Sequence, residues 1–125
     1  VYVTNVDSGT VSVISAATNT VVDTVTVGDS PVGVDVTPGG TRVYVSNGGS
    51  HNVSVISVAT NTVITTVTVG TTPQGLAVTP GGTQVYVTNA NSGTVSVIST
   101  ATNTVTATVT VGSAPVAVDS GVIRS

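Results

Sequence analysis

The sequence predicts an all-β fold: β-propeller blades of four antiparallel strands, three repeats forming a partial propeller or one completed by association. Three observations predict it. A block of 42 residues recurs without insertion, so that Tyr2, Tyr44 and Tyr86 are evenly spaced. The composition is Val, Thr, Ser, Gly and Asn, with no Cys, Met, Trp, Phe, Lys or Glu. β-branched residues favour strands and Gly and Asn favour turns, whereas the strong helix formers are nearly missing. Each block also holds four short alternating runs, and four strands in about 40–45 residues is the period of a propeller blade.

Within the first block the strands are expected at Val1–Thr4, Val11–Ser15, Val21–Val27 and Val32–Val36. Val alternates there with Thr, Ser, Gly or Asp at the period of two that a pleated strand imposes. Asn5–Gly9 turns the first strand into the second, and Ala17-Thr18-Asn19-Thr20 the second into the third. Gly28–Pro31 breaks the chain before the fourth, and Pro38-Gly39-Gly40 leads into the next block. Residues 1–125 form one repeat domain with units 1–42, 43–84 and 85–125. The third unit departs only at its end, where Asp119 is followed by Ser-Gly-Val-Ile-Arg-Ser.

Charge excludes some partners. Only 6% of residues are charged, the net charge is −3, and the basic residues are Arg42 and Arg124. Nucleic acid binding needs several cationic phosphate contacts, so it is not expected. No apolar run is long enough to span a bilayer, and without Cys there is no disulfide or thiol chemistry. The chain opens on Val1, which reads as a processed protein, a fragment or an engineered repeat. Its Ser/Thr/Asn-rich, Lys-free character points to an extracellular surface.

Five sub-motifs recur in order and at fixed spacing: Tyr-Val-Thr-Asn, Ser-Gly-Thr-Val-Ser-Val-Ile, Ala-Thr-Asn-Thr-Val, Val-Gly-x-x-Pro and Thr-Pro-Gly-Gly. This pattern resembles the YVTN family of β-propeller repeats, over all but about the last six residues. The resemblance implies a prokaryotic surface-layer or other cell-surface protein. It also implies that the strand after each Pro lies innermost. Val32–Val36 is then strand A, Val43–Ser46 strand B, Val53–Ser57 strand C and Val63–Val69 strand D. The chain begins at a B strand and ends in an A strand.

Propellers typically close with about 4–8 blades, so three blades leave two open edges. One is Val1, Tyr2 and Val3; the other is Pro115, Val116 and Val118. Unpaired backbone there invites another chain. Two readings stand: head-to-tail association of copies, as a ring or a filament, or further blades of the same polypeptide.

In the implied topology the B–C and D–A turns share one face. These turns differ between copies, whereas the A–B and C–D turns are nearly identical. The candidate binding face is therefore Asp7, Ser8, Asp29, Ser30, Ser50, His51, Thr71, Thr72, Asn91 and Ser92, and a surface protein or glycan is the ligand class it would take. Relaxed constraint on exposed loops is the simpler account of the variation. His51 is the only histidine and reads as a solvated loop residue. Asp35 and Asp119 occupy one strand A position and would line the channel. The three Tyr residues read as packing between blades, with each hydroxyl finding a partner. Asn52-Val53-Ser54 is a glycosylation sequon.

No catalytic or metal-binding set is expected. Ser-His-Asp chemistry needs a positioned base and orienter, and a metal needs several converging donors. The sequence-based expectation is thus a non-enzymatic structural or cell-surface module without cofactor. The alternative is a fragment of a propeller enzyme or redox-partner protein whose catalytic residues lie outside this chain.

Overall fold

The computed structural model describes residues 1–121. Eleven strands form three antiparallel sheets. Blade 1 contains β1 (Tyr2–Asn5), β2 (Thr10–Ser15) and β3 (Thr20–Thr26). Blade 2 contains β4 (Pro31–Val36), β5 (Arg42–Asn47), β6 (Asn52–Ser57) and β7 (Thr62–Thr68). Blade 3 contains β8 (Pro73–Val78), β9 (Gln84–Asn89), β10 (Thr94–Ser99) and β11 (Thr104–Thr110). In each sheet the strands are ordered as in the sequence, so every connection is a hairpin.

The sheets converge on the inner strands, where β4 packs against β8 and β1 against β4. They fan apart toward β3, β7 and β11, whose side chains are mostly exposed. Strand A is therefore innermost, as the resemblance implies. The C–D ladders shift register at the same place in each blade, Val13/Ile14, Val55/Ile56 and Val97/Ile98. Such bulges increase twist.

Hydrophobic burial lies between the sheets. One cluster joins Val11, Val13 and Val25 of blade 1 to Val43, Val45 and Ile56 of blade 2. The other joins Tyr44, Val53, Val55 and Val67 of blade 2 to Leu76, Val78, Val85, Val87 and Ile98 of blade 3. Each valine buries a small area, so the cores depend on many close contacts.

One expected element differs. Pro115–Val118 belongs to no ladder, because an inner strand pairs with the B strand of its own blade, and among the described residues none follows. The segment is nevertheless held beside β8. The Val116 carbonyl accepts from the Gly75 N–H at 2.7 Å and from Thr88 Oγ1 at 2.8 Å.

The tyrosines tie blade to blade. Tyr2 donates its hydroxyl to Asn61 Oδ1 at 3.3 Å, and Tyr44 to Asn103 Oδ1 at 2.6 Å. Burial raises the Tyr44 pKa above 10.0, with Arg42 partly opposing the rise. The phenol is neutral when protonated, so the folded protein keeps a proton that the unfolded chain loses above pH 10. The associated stability is complete below pH 10 and is lost as pH rises through the folded value. Tyr44→Phe is expected to lower stability at neutral pH by about 1 kcal/mol and to flatten this alkaline decline. Urea unfolding at a series of pH values checks both.

Candidate functional site

The B–C and D–A turns come together on one face, so the ten candidate residues share a surface. The pairing rests on backbone bonds. Gly48 and Gly49 donate to the Ser30 and Asp29 carbonyls at 2.8 and 2.9 Å. Ala90 and Asn91 donate likewise to Thr72 and Thr71 at 2.9 and 3.2 Å. The Asp29 N–H donates to Ser50 Oγ, and the Thr71 N–H to Ser92 Oγ, both at 2.8 Å. Asn91 Nδ2 reaches Thr72 Oγ1 at 2.8 Å. Ser50 and Ser92 are thus fixed by structure, and Ser8 bonds only the neighbouring Thr10 hydroxyl at 2.8 Å.

Buried asparagines anchor this face. Asn47 is fully buried. Its Oδ1 accepts from the Gly28 N–H at 3.2 Å, and its Nδ2 donates to Asn52 Oδ1 and Ser54 Oγ, both at 2.9 Å. Asn89 repeats the pattern with Gly70, Thr94 and Ser96. The last letter of the Tyr-Val-Thr-Asn motif therefore positions the turns. Sequence reasoning read it as the start of the B–C turn and gave it no link to the D–A turn; its recurrence as Asn5, Asn47 and Asn89 was the available signal. The sequon Asn52 sits in β6 with its Oδ1 occupied by this bond.

Left-handed backbone occurs at both ends of the blades: Asn19, Asn61 and Asn103 hold φ of 56, 52 and 53° in the C–D turns of the opposite face. Ser30, Thr72 and Ala114 hold φ of 52, 57 and 52° at one D–A position. A β-branched residue such as Thr72 is a true outlier there, and strained backbone clusters at functional sites. His51 has φ 58° where the other copies place Gly9 and Gly93. Its Nδ1 accepts the Thr72 N–H at 3.0 Å. His51 is thus a bonded bridge and not simply a solvated loop residue; its alignment with two glycines was the signal.

His51→Gly and His51→Ala are expected to separate these effects. Glycine removes the left-handed penalty of roughly 1–2 kcal/mol as it removes the bond. It should therefore stay within about 1 kcal/mol of the parent. Alanine keeps the penalty and loses the bond, so it should cost about 1 kcal/mol or more. Chemical denaturation of the two variants side by side checks the order.

A shallow hollow of ≈ 330 Å³ opens on this face between Val6, Asp7, Ser8, Gly9, Asp29 and Ser30. It brings together two carboxylates from one B–C and one D–A turn. Thr71, Thr72, Asn91 and Ser92 lie at the next junction along the face. Asp35 does not simply line a channel. Its Oδ2 accepts the Val78 N–H at 2.8 Å and its Oδ1 the Val36 N–H at 2.9 Å, which ties the inner strands of blades 2 and 3. Among the described residues no three His, Cys, Asp or Glu side chains come close enough to hold a metal ion.

Comparison with known proteins places this geometry. The family model described as "Lactonase, 7-bladed beta-propeller" matches residues 1–123. No curated protein sequence matches the chain. Among solved structures, hydrazine synthase of Kuenenia stuttgartiensis is similar with a TM-score of 0.89 and 28% identity, over 93% of this chain and 34% of that one. A protein of Desulfotomaculum acetoxidans DSM 771 is similar with a TM-score of 0.76 and 19% identity, over 86% of this chain and 37% of that one. The dihydro-heme d1 dehydrogenase NirN is similar with a TM-score of 0.77 and 18% identity, over 90% and 25%. The last two likenesses concern the fold alone. The chain spans between a quarter and somewhat over a third of the length of these neighbours.

These matches correct the expectation of a non-enzymatic module. The matching family model is a lactonase and the neighbour at 28% identity is a synthase. The sequence argument leaned on a single His and the lack of Glu. An inventory over about a third of such a propeller is too short a stretch to decide whether the propeller is an enzyme.

Proposed function

We propose, for a chain that belongs to the lactonase family of seven-bladed β-propellers, that it supplies three successive blades of a propeller enzyme. On this reading the B–C/D–A face is the rim of the substrate site, and the reacting groups lie outside these 125 residues. The family match over residues 1–123 carries the reading. The face supports it, because it gathers the variable turns and the Asp7/Asp29 hollow. The chain's own contribution is then to hold an uncharged, hydroxyl-rich ring through Ser, Thr and Asp groups. Surface-layer membership rests on the motif resemblance, a cell-surface location on that and on composition, and a protein or glycan ligand on the variable turns.

The test is a titration of the isotope-labelled chain with gluconolactam, a non-hydrolysable analogue of a six-membered sugar lactone. Amide shifts are expected at Asp7, Ser8, Asp29, Ser30, His51 and Thr72, with a Kd of about 1 mM. Shifts concentrated on Thr37–Gly40 and Thr79–Gly82, or none, would count against it. The likeness to hydrazine synthase favours a second reading, an arc of a redox-enzyme propeller. In that case the lactam leaves the same face unmoved.

A further inference from the structure

The A–B turns lie on the opposite face, and a second polar hollow opens there. It measures ≈ 330 Å³ and sits on the seam between blades 2 and 3. Thr37, Pro38 and Gly39 of one A–B turn line one side, and Gly81 and Gly82 of the next line the other. The two turns touch across the seam, where a Cβ at Gly82 would lie 3.0 Å from Pro38 Cδ. A Cβ at Gly39 or Gly81 would meet nothing within 4 Å, so bare backbone leaves the space open. Tyr44, fully buried and bonded to Asn103, backs the hollow.

Arg42 lines it as well. It is the one arginine among the described residues, and the chain has no lysine. Blade 3 carries Gln84 at the same repeat position. The charge at this seam is therefore a departure from the repeat and not a demand of the fold. No Asp lines the hollow to pair with it. Among the described residues the guanidinium makes one hydrogen bond, from Nη1 to the Thr41 carbonyl at 3.2 Å. A guanidinium has five N–H donors, so most of them are left for a ligand. The Tyr44 hydroxyl registers the charge, since burial raises its pKa and Arg42 pulls it back.

The threonines of the lining accept and do not donate. The Thr37 hydroxyl proton goes to the Arg42 carbonyl at 3.3 Å, and the Thr100 proton to the Gly82 carbonyl at 2.6 Å. Their oxygens keep lone-pair capacity only. A ligand that fits this set brings one anionic group for Arg42 and hydroxyl protons for the threonines. A carboxylate suits the guanidinium fork, which can bind both its oxygens with parallel bonds. Sulfate brings acceptors alone and has no proton to offer the threonine oxygens. The volume lies at the small end of the range of ligand pockets, about 300–1,000 Å³.

We propose that this hollow is a site for a small hydroxy carboxylate. The Arg42 guanidinium clasps the carboxylate, and the ligand's hydroxyls donate to Thr37 and Thr100. The site lies on the face opposite the B–C and D–A turns and does not rest on the lactone reading, so either can fail alone. The neutral lactam that probes the other face carries no charge for Arg42.

The test is a titration of the isotope-labelled chain with sodium gluconate at constant ionic strength. It is read on the amides of Gly39, Arg42, Gly81 and Gly82 and on the Arg42 Nε–H. These signals are expected to move together, with a Kd on the order of 1 mM. Gluconamide keeps the hydroxyls and lacks the charge, and sulfate keeps the charge and lacks the hydroxyls. Each should bind at least about tenfold more weakly. Arg42→Gln, which places here the residue blade 3 carries, should lose the gluconate response while the blade 1 amides stay in place. No movement of these signals with gluconate would overturn the proposal, as would an equal response to gluconamide or sulfate. An undiminished response in Arg42→Gln would do the same. The comparison of the three ligands on the parent chain needs no variant and decides the matter by itself.

Discussion

Gly33→Val is expected to destabilise the protein by about 3 kcal/mol and to lower the midpoint of thermal unfolding by on the order of 10 °C. A Cβ at Gly33 would lie 2.6 Å from the Gln74 carbonyl oxygen, 2.9 Å from the Leu76 nitrogen and 2.9 Å from Ser46 Oγ. The first two are backbone atoms of β8 and cannot swing aside as a flexible side chain does. Relief requires blades 2 and 3 to separate, which opens the cluster between them. Gly39 is the control, because a Cβ there meets nothing within 4 Å. Gly39→Val should change stability by no more than about 0.5 kcal/mol. Equal midpoints for the two variants would refute the close approach of the inner strands.

Asn47→Leu is expected to cost about 2–4 kcal/mol, measured by urea unfolding. Leucine matches the volume but strands the Gly28 N–H and leaves Asn52 and Ser54 without their shared donor. The group is fully buried, so water cannot replace the lost bonds. Asn5→Leu should cost clearly less, about 1 kcal/mol. Asn5 is half-buried and makes only the Nδ2 bonds to Thr10 and Ser12. A similar loss at both positions would show that the Asn acts within its own hairpin and not as a link to the preceding turn.

Strand positions were readable because alternation and turn residues are local. The expected Val11–Ser15 and Val32–Val36 differ from β2 and β4 by a single residue at their starts. Which turns share a face was readable as well, since four antiparallel strands leave one arrangement. The links between blades were not. Tyr44 and Asn103 stand 59 residues apart, and nothing within one repeat names the partner. Ser46 was read as one more alternating polar residue, yet it accepts the Gly33 N–H and donates to the Gln74 carbonyl of the next blade. Asp35 was placed toward a channel because its bond to Val78 crosses a seam that composition cannot show. Function was least readable, because a rim of Ser, Thr and Asp turns does not declare what it surrounds.

Among the described residues the strand packing between sheets joins neighbours: blade 1 meets blade 2, and blade 2 meets blade 3. Stability in such an array behaves as a one-dimensional sum of unit and nearest-neighbour terms. Blade 2, with neighbours on both sides, should exchange its amide hydrogens most slowly. Blades 1 and 3 should fray first, from β3 and β11 inward. Each unit added to the row contributes one more interface, and a row bent into a circle gains an extra one with no added residues. Cooperativity in this architecture is therefore a property of the row's length and closure more than of any single blade.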